Sequence, residues 1–273
     1  MMDFTVYGQT EKGHVREENE DVILVGRIML DFGGTGTSMR EDDSELLCNG
    51  FLAVVADGMG GHAAGAAAAR MTLETLDETF HQMESSSDIR LLTRMLRVAA
   101  ERANQAVLDA GATRPGCKGM GATLAGVALM GREYVIFHAG DSRVYRLRHG
   151  ALRLLTEDDS LVALAVRSGR MTPQEARNNP SRHYVTNAVG TDSFELHTEE
   201  PQLLRPDDIL MISSDGLHDL IDLETMEELL SKMTDSEGRC AALVAEALRR
   251  GGPDNISVIL IEAREDGIPT QYG

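Results

Sequence analysis

The chain has 273 residues, with 26 Lys+Arg against 44 Asp+Glu, a formal net charge of −18. Its 42% hydrophobic and 26% charged content excludes wholesale disorder and suits one large domain. So acidic a surface repels phosphate backbones and anionic lipid, which argues against a partner of nucleic acid or membrane.

Taken in chain order, Phe4–Gln9 reads as the first strand and Asp21–Leu30 as a second, around the apolar run Val22-Ile23-Leu24-Val25. Asp31–Asn49, with Gly33, Gly34, Gly36 and Glu41-Asp42-Asp43, reads as an exposed loop or long hairpin tip. Phe51–Ala56 is a strand ending at Asp57-Gly58. Two long helices follow, Ala63–Met83 and Asp88–Ala110. In the second, Leu92, Leu96, Ala99, Ala103, Ala106 and Ala110 form an apolar stripe, Asp88 suits its start and Gly111 its end. Thr123–Met130, Tyr134–His138 and Arg143–Arg148 then read as strands joined by tight turns, followed by a short helix at Ser160–Ser168. Ile209–Ser213 and Ile256–Ile261 are the remaining strands, separated by helices at Leu223–Met233 and Glu237–Arg250. Grouped strands with hairpin links predict antiparallel sheets with helices outside.

Cys48, Cys117 and Cys240 are far apart and form no CxxC pair, so neither a disulfide framework nor a zinc site is expected. Met1–Gly13 has no apolar core of a signal peptide, and no run approaches a membrane span. The expectation is a cytoplasmic monomer.

Several carboxylates stand where apolar strands emerge. Asp57 and Asp215 follow strands and precede glycine, Asp254 precedes a strand, Asp141 occupies a turn between two, and Glu20-Asp21 opens one. Each alone can be turn chemistry. Together, at strand ends that can converge, they would repel one another unless a cation sat among them. Oxygen ligands suit a hard ion such as Mg²⁺ or Mn²⁺.

The same residues lie in a series of motifs. Thr10-Glu11-Lys12-Gly13-His14-Val15-Arg16-Glu17-Glu18-Asn19-Glu20-Asp21 comes first, then Val55-Ala56-Asp57-Gly58-Met59-Gly60-Gly61-His62 and Met120-Gly121-Ala122-Thr123. Ala139-Gly140-Asp141-Ser142-Arg143, Leu155-Thr156-Glu157-Asp158-Asp159-Ser160, Ser213-Ser214-Asp215-Gly216-Leu217 and Gly252-Pro253-Asp254-Asn255-Ile256-Ser257 follow. In this order, over about residues 10–260, they resemble the PPM family, the type 2C metal-dependent serine/threonine protein phosphatases, in its bacterial form. The resemblance implies an α+β fold: a four-layer α-β-β-α sandwich of two antiparallel sheets flanked by helix pairs, forming a single phosphatase domain over 1–273. It implies phosphorylated protein substrates, a cognate serine/threonine kinase pathway and Mn²⁺ or Mg²⁺ as cofactor, with two core ions and a third, weaker one.

Residue by residue, the resemblance makes Asp57 the bridge between the core ions, with the Gly58 carbonyl on one of them. Asp215 and Asp254 would hold the first ion, and Glu20 and Asp21 would stand beside the second. Asp141, with Asp215, would hold the third, and Asn255 would orient Asp254. Arg16 would grip the substrate phosphate through its planar guanidinium; a surface ion pair with a nearby Glu is the alternative from the residue alone. The implied reaction is attack by a water bridging the two ions, without a phosphoenzyme. Two alternatives are a silent phosphoprotein-binding member of the same fold, opposed by the retention of Asp57, Asp141, Asp215 and Asp254, and a hydrolase of another phosphoester.

The chain departs from the family pattern at Met59, where eukaryotic members carry His, leaving a metal-bound water as proton donor. Asp159 replaces the usual His, and Glu11 the usual Asp. His62 reads as a packing or capping residue. Segment 33–49 is longer than usual and reads as an exposed loop insertion, either spacer or partner-docking loop. Segment 166–182, with Gly169, Pro173 and Pro180, resembles the family's flap.

Overall fold

The computed structural model describes residues 1–61, 63–82 and 86–265. In chain order the elements are β1 (Met2–Glu11), β2 (Asp21–Val25), β3 (Ile28–Leu30), β4 (Gly33–Arg40), α1 (Ser44–Asn49), β5 (Phe51–Met59), α2 (Ala63–Gln82) and α3 (Ile89–Thr113). Then come β6 (Gly121–Ala122), β7 (Leu124–Met130), β8 (Glu133–Ala139), β9 (Arg143–Arg148), β10 (Ala151–Leu154), α4 (Leu161–Arg167) and α5 (Pro173–Arg177). The chain continues with β11 (His197–Thr198), β12 (Gln202–Leu203), β13 (Ile209–Ser213), α6 (Asp215–His218), α7 (Leu223–Lys232), α8 (Ser236–Arg249) and β14 (Ile256–Glu265).

Alternation along the strands builds the layers. In β5, Ala53 and Val55 face the other sheet, while Leu52, Val54 and Ala56 pack under α2 and α3. In β2, Ile23 and Val25 take the first side and Val22 and Leu24 the second. A period of two with both faces apolar is what a strand buried between a sheet and a helix layer requires. The first sheet runs β10-β9-β13-β14-β1-β4. The second runs β11-β8-β7-β5-β2-β3, with β12 on β8 and β6 on β5, and every strand pair is antiparallel. Phe4, Val6, Ile212 and Ile259 meet Ile23 and Val127 between the sheets. Leu217, Met226, Leu230, Leu243 and Val244 of α6–α8 cover the outer face of the first sheet. The four-layer α-β-β-α sandwich expected from the sequence is the observed fold.

Local boundaries correct several expectations. Segment 33–49 is largely exposed, as expected, but it is not a loop: it contains β4, the edge strand paired with β1, and helix α1. Its glycines are a packing requirement. A Cβ on Gly34 would stand 2.4 Å from the Tyr7 hydroxyl, and one on Gly36 would stand 2.7 Å from the ring, so only glycine lets β4 cross Tyr7. Asp21–Leu30 is two strands rather than one, broken at Gly26, whose φ is +62°. β5 does not end at Asp57 but runs to Met59, because Gly58 and Met59 pair with β6. Helix α3 passes through Gly111 and stops at Thr113, where the Arg114 N–H bonds Ala110 O. Its start is as expected, with the Asp88 carboxylate accepting from Arg90 N–H at 2.9 Å. His62 and Met83 lie outside the described residues.

Candidate metal centre

Antiparallel pairing brings the carboxylate-bearing strand ends to one edge of the sandwich. Glu11 at the end of β1 lies opposite Ile256, which opens β14 just after Asp254. Ser213 ends β13 beside Arg143, which opens β9 just after Asp141. In the facing sheet, Asp21 at the start of β2 is the cross-strand partner of Asp57 in β5.

Short hydrogen bonds lock these ends together. Asp57 N–H donates to Thr123 Oγ1 at 3.2 Å, and Thr123 N–H returns a bond to Asp57 O at 2.9 Å. Thr123 Oγ1 also lies 2.8 Å from Ser142 Oγ, which ties Asp57 to the turn carrying Asp141. Across the sheets, Ser214 Oγ donates to Asp21 Oδ2 at 2.7 Å and accepts from Ser257 N–H at 3.0 Å. Asn255 fixes the segment between β1 and β2. Its Oδ1 accepts from Glu20 N–H at 2.9 Å, and its Nδ2 donates to Lys12 O at 2.9 Å and Glu18 O at 3.0 Å. Asn255 therefore holds the backbone carrying Arg16, Glu20 and Asp21. Its N–H also donates to Asp254 Oδ1 at 2.8 Å.

Helix α2 approaches the site closely. A Cβ on Gly58 would stand 2.2 Å from Gly65 O and 2.8 Å from Glu20 O. Backbone from three elements thus meets where only glycine fits.

The electrostatics are strained in the sense that repulsive charge and burial act together. Asp57 is pushed well above the ordinary carboxylate range, first by burial, then by the charges of Asp21, Asp215, Asp141 and Asp254. Asp21, fully buried, is pushed up to about 7, by burial first, with the Ser214 and Ser257 bonds opposing and Asp215 and Asp254 adding repulsion. Asp141 reaches about 8 through burial and the charges of Asp215 and Asp158. At the rim, Arg16 Nη2 donates to Asp254 Oδ2 at 2.7 Å and also feels the charges of Glu20 and Asp57. Its ion pair is thus with a centre carboxylate, not with the neighbouring surface glutamates. The Arg16 side chain remains 45% exposed, so donors are left for a ligand.

These residues fit a divalent cation. Asp21 Oδ1 is buried and meets no donor, in a cluster whose members raise one another's pKa. An orphaned carboxylate oxygen costs on the order of 1–3 kcal/mol or more, and a cation supplies what the protein does not. The donors are carboxylate oxygens, the set preferred by Mn²⁺ and Mg²⁺.

The structure adds two residues that the sequence reading did not single out. Among the described residues, one ligand atom each from His183, Asp215 and Asp219 lie within 4.8 Å of one another. Asp219 follows Asp215 by four residues, one turn of α6, a spacing visible in the sequence. His183 arrives from the segment after α5, and no local pattern predicts that contact. The segment 166–182, built on the end of α4, on α5 and on the Thr172–Glu175 capping box, borders a cavity of about 720 Å³ that also reaches Asp141 and Asp215. Arg167, Arg177 and Arg182 are among its lining residues.

Two sheets whose strand ends converge on buried and half-buried carboxylates, with one oxygen of Asp21 unpartnered, make a frame for hard divalent cations. The chain belongs to the protein phosphatase 2C family, whose model matches residues 38–250. It is 33% identical over 260 residues to the serine/threonine protein phosphatase PstP of Mycobacterium tuberculosis, covering 93% of this chain and 44% of that one. The chain thus spans less than half the length of that relative. It is 31% identical over 256 residues to the serine/threonine phosphatase stp of Listeria monocytogenes, covering 93% and 94% of the two chains. The S. agalactiae serine/threonine phosphatase superposes with a TM-score of 0.82 at 29% identity, covering 97% of this chain and all of that one. The catalytic domain of PstP in complex with two manganese ions superposes with a TM-score of 0.79 at 29% identity, covering 97% and 100%.

Proposed function

We propose that this chain is a divalent-cation-dependent serine/threonine protein phosphatase, acting as a single domain over 1–273 and opposing a serine/threonine kinase. The observation that carries this reading is the cluster of buried and half-buried carboxylates with an unpartnered Asp21 oxygen, lying beside an exposed arginine. Family membership and the phosphatase relatives support it, as do the manganese ions of the PstP catalytic domain.

Asp57, with the Gly58 carbonyl, Asp215, Asp254, Glu20 and Asp21 would hold the core ions, and Asp141 and Asp215 a third. When bound, these ions supply the positive charge that activates a water for attack on phosphorus and neutralises the phosphoryl oxygens. The chain's own contribution is placement. Arg16, anchored by Asp254, points its remaining N–H groups at the phosphate, which it can grip with two parallel bonds. Asn255 keeps the Arg16 segment in register with Asp254. Thr123 keeps Asp57 in register with the Asp141 turn. With water as nucleophile, no side chain needs to carry the phosphoryl group, so hydrolysis proceeds without a phosphoenzyme.

The test is release of phosphate from phosphoserine and phosphothreonine peptides with Mn²⁺ or Mg²⁺. Turnover must vanish with chelator and in Asp57→Asn. Metal-independent turnover, or none with either ion, would overturn the reading.

A further inference from the structure

Outside the carboxylate centre, the second sheet assembles another set of ligating side chains. β11 pairs antiparallel with β8 so that His197 lies directly across from His138. Cross-strand neighbours of this kind bring their side chains together by register alone. The two ring centroids are 5.0 Å apart, with planes tilted by 38°. Asp159, from the segment before α4, joins them, and one ligand atom from each of His138, Asp159 and His197 lies within 4.8 Å of the other two.

The surroundings orient these atoms as metal ligands are oriented. His138 Nε2 lies 2.9 Å from the carbonyl oxygen of Glu157. A carbonyl only accepts, so Nε2 carries the proton and Nδ1 keeps its lone pair. Burial lowers the pKa of His138, which favours the neutral, ligating imidazole. One Asp159 oxygen is occupied, accepting from Gly140 N–H at 3.1 Å and from Asn187 Nδ2 at 2.8 Å. The other faces His197 Nε2 at 3.2 Å. His138 and Asp159 are buried, while the His197 side chain is 38% exposed and leaves an entry path.

We propose that His138, Asp159 and His197 bind a transition-metal ion of the Zn²⁺ type at a site separate from the carboxylate centre. Two imidazole nitrogens and one carboxylate oxygen suit Zn²⁺ or Co²⁺ better than Mg²⁺. Asp159 also donates its backbone N–H to Gly140 O at 2.9 Å, so it clamps both polar groups of the residue before Asp141. An ion held there braces the turn that carries Asp141.

The experiment titrates Zn²⁺ and Co²⁺, each alone, into the chelator-stripped 273-residue chain carrying Asp57→Asn and Asp215→Asn, which remove the carboxylates assigned to the core and third ions. We expect one tight equivalent, with Co²⁺ giving the visible ligand-field absorption of a low-coordinate nitrogen–oxygen site. Adding His197→Ala, at a partly exposed position, should weaken binding by at least about 100-fold, the upper end of what loss of an outer partner alone produces, without changing the circular dichroism spectrum. Asp159→Asn should do the same. Absence of a tight equivalent, or one that survives His197→Ala, would show that the trio is a hydrogen-bonded cluster only and overturn the proposal.

Discussion

Replacing Asp21 with Asn should stabilise the metal-free protein and at the same time weaken its response to metal. Asp21 is fully buried, one oxygen is bonded to Ser214, the other has no donor, and its pKa is raised from 3.8 to about 7. Because the folded-state value lies above the unfolded one, the folded chain holds more protons between these limits, and stability falls as pH rises through that window. The raised pKa of Asp21 then costs about 4 kcal/mol at pH 8, where the buried group must ionise, and about 2 kcal/mol at pH 5, where it must hold a proton, taking 1.36 kcal/mol per pH unit. Asn keeps the shape and can still accept from Ser214, so Asp21→Asn should recover most of that difference. For a chain of this size, the gain at pH 8 is on the order of 10 °C in Tm. Chelator-treated wild type and variant would be unfolded by heat or urea at both pH values, with and without Mn²⁺. Mn²⁺ should stabilise wild type far more than the variant, since it binds the ionised form. The reasoning fails if the metal-free variant is no more stable than wild type at pH 8, or if its advantage is as large at pH 5.

Asn255→Ala removes three hydrogen bonds from buried or half-buried backbone groups of residues 12–20, and should cost about 3 kcal/mol in urea unfolding at roughly 1 kcal/mol per bond. Its KM for phosphopeptide should rise as Arg16 loses register; a stability loss with unchanged KM would remove Asn255 from the positioning role. Arg16→Ala should raise KM for phosphosubstrate more than it changes Mn²⁺ affinity, and Arg16→Lys should rescue little of the loss because it cannot form the bidentate grip; an unchanged KM would rule Arg16 out. Gly58→Ala drives a methyl into Gly65 O and Glu20 O, so calorimetry should show a loss of about 3 kcal/mol, with reduced Mn²⁺ binding.

Much of this architecture is legible in the amino-acid sequence. Strands with period-two alternation and helices with capped apolar stripes, such as the one Asp88 opens, matched their elements to within a few residues, and the carboxylates at strand ends do share one edge. The failures have physical causes. β4 is glycine-rich, and glycine ordinarily signals a turn; here it answers to the Tyr7 ring across the strand pair, a contact invisible along the chain. Asp57-Gly58 looked like a strand end, but pairing with β6 from far along the sequence extends β5 past it. Asp219 could have been found from its one-turn spacing to Asp215. His183, and the meeting of His138 with His197, depend on tertiary approach and on the register of a two-residue strand.

The pairing of β1 with β14 sets Met2 against Glu265 and Glu11 against Ile256. Among the described residues, the first strand of the fold therefore has one edge covered only by the strand farthest from it in sequence. Asp254 and Asn255, delivered immediately before that final strand, are also what anchor Arg16 and Glu20. A chain lacking these residues cannot assemble the pocket. Closure of this seam also joins contacts more than 240 residues apart in sequence, which predicts slow folding.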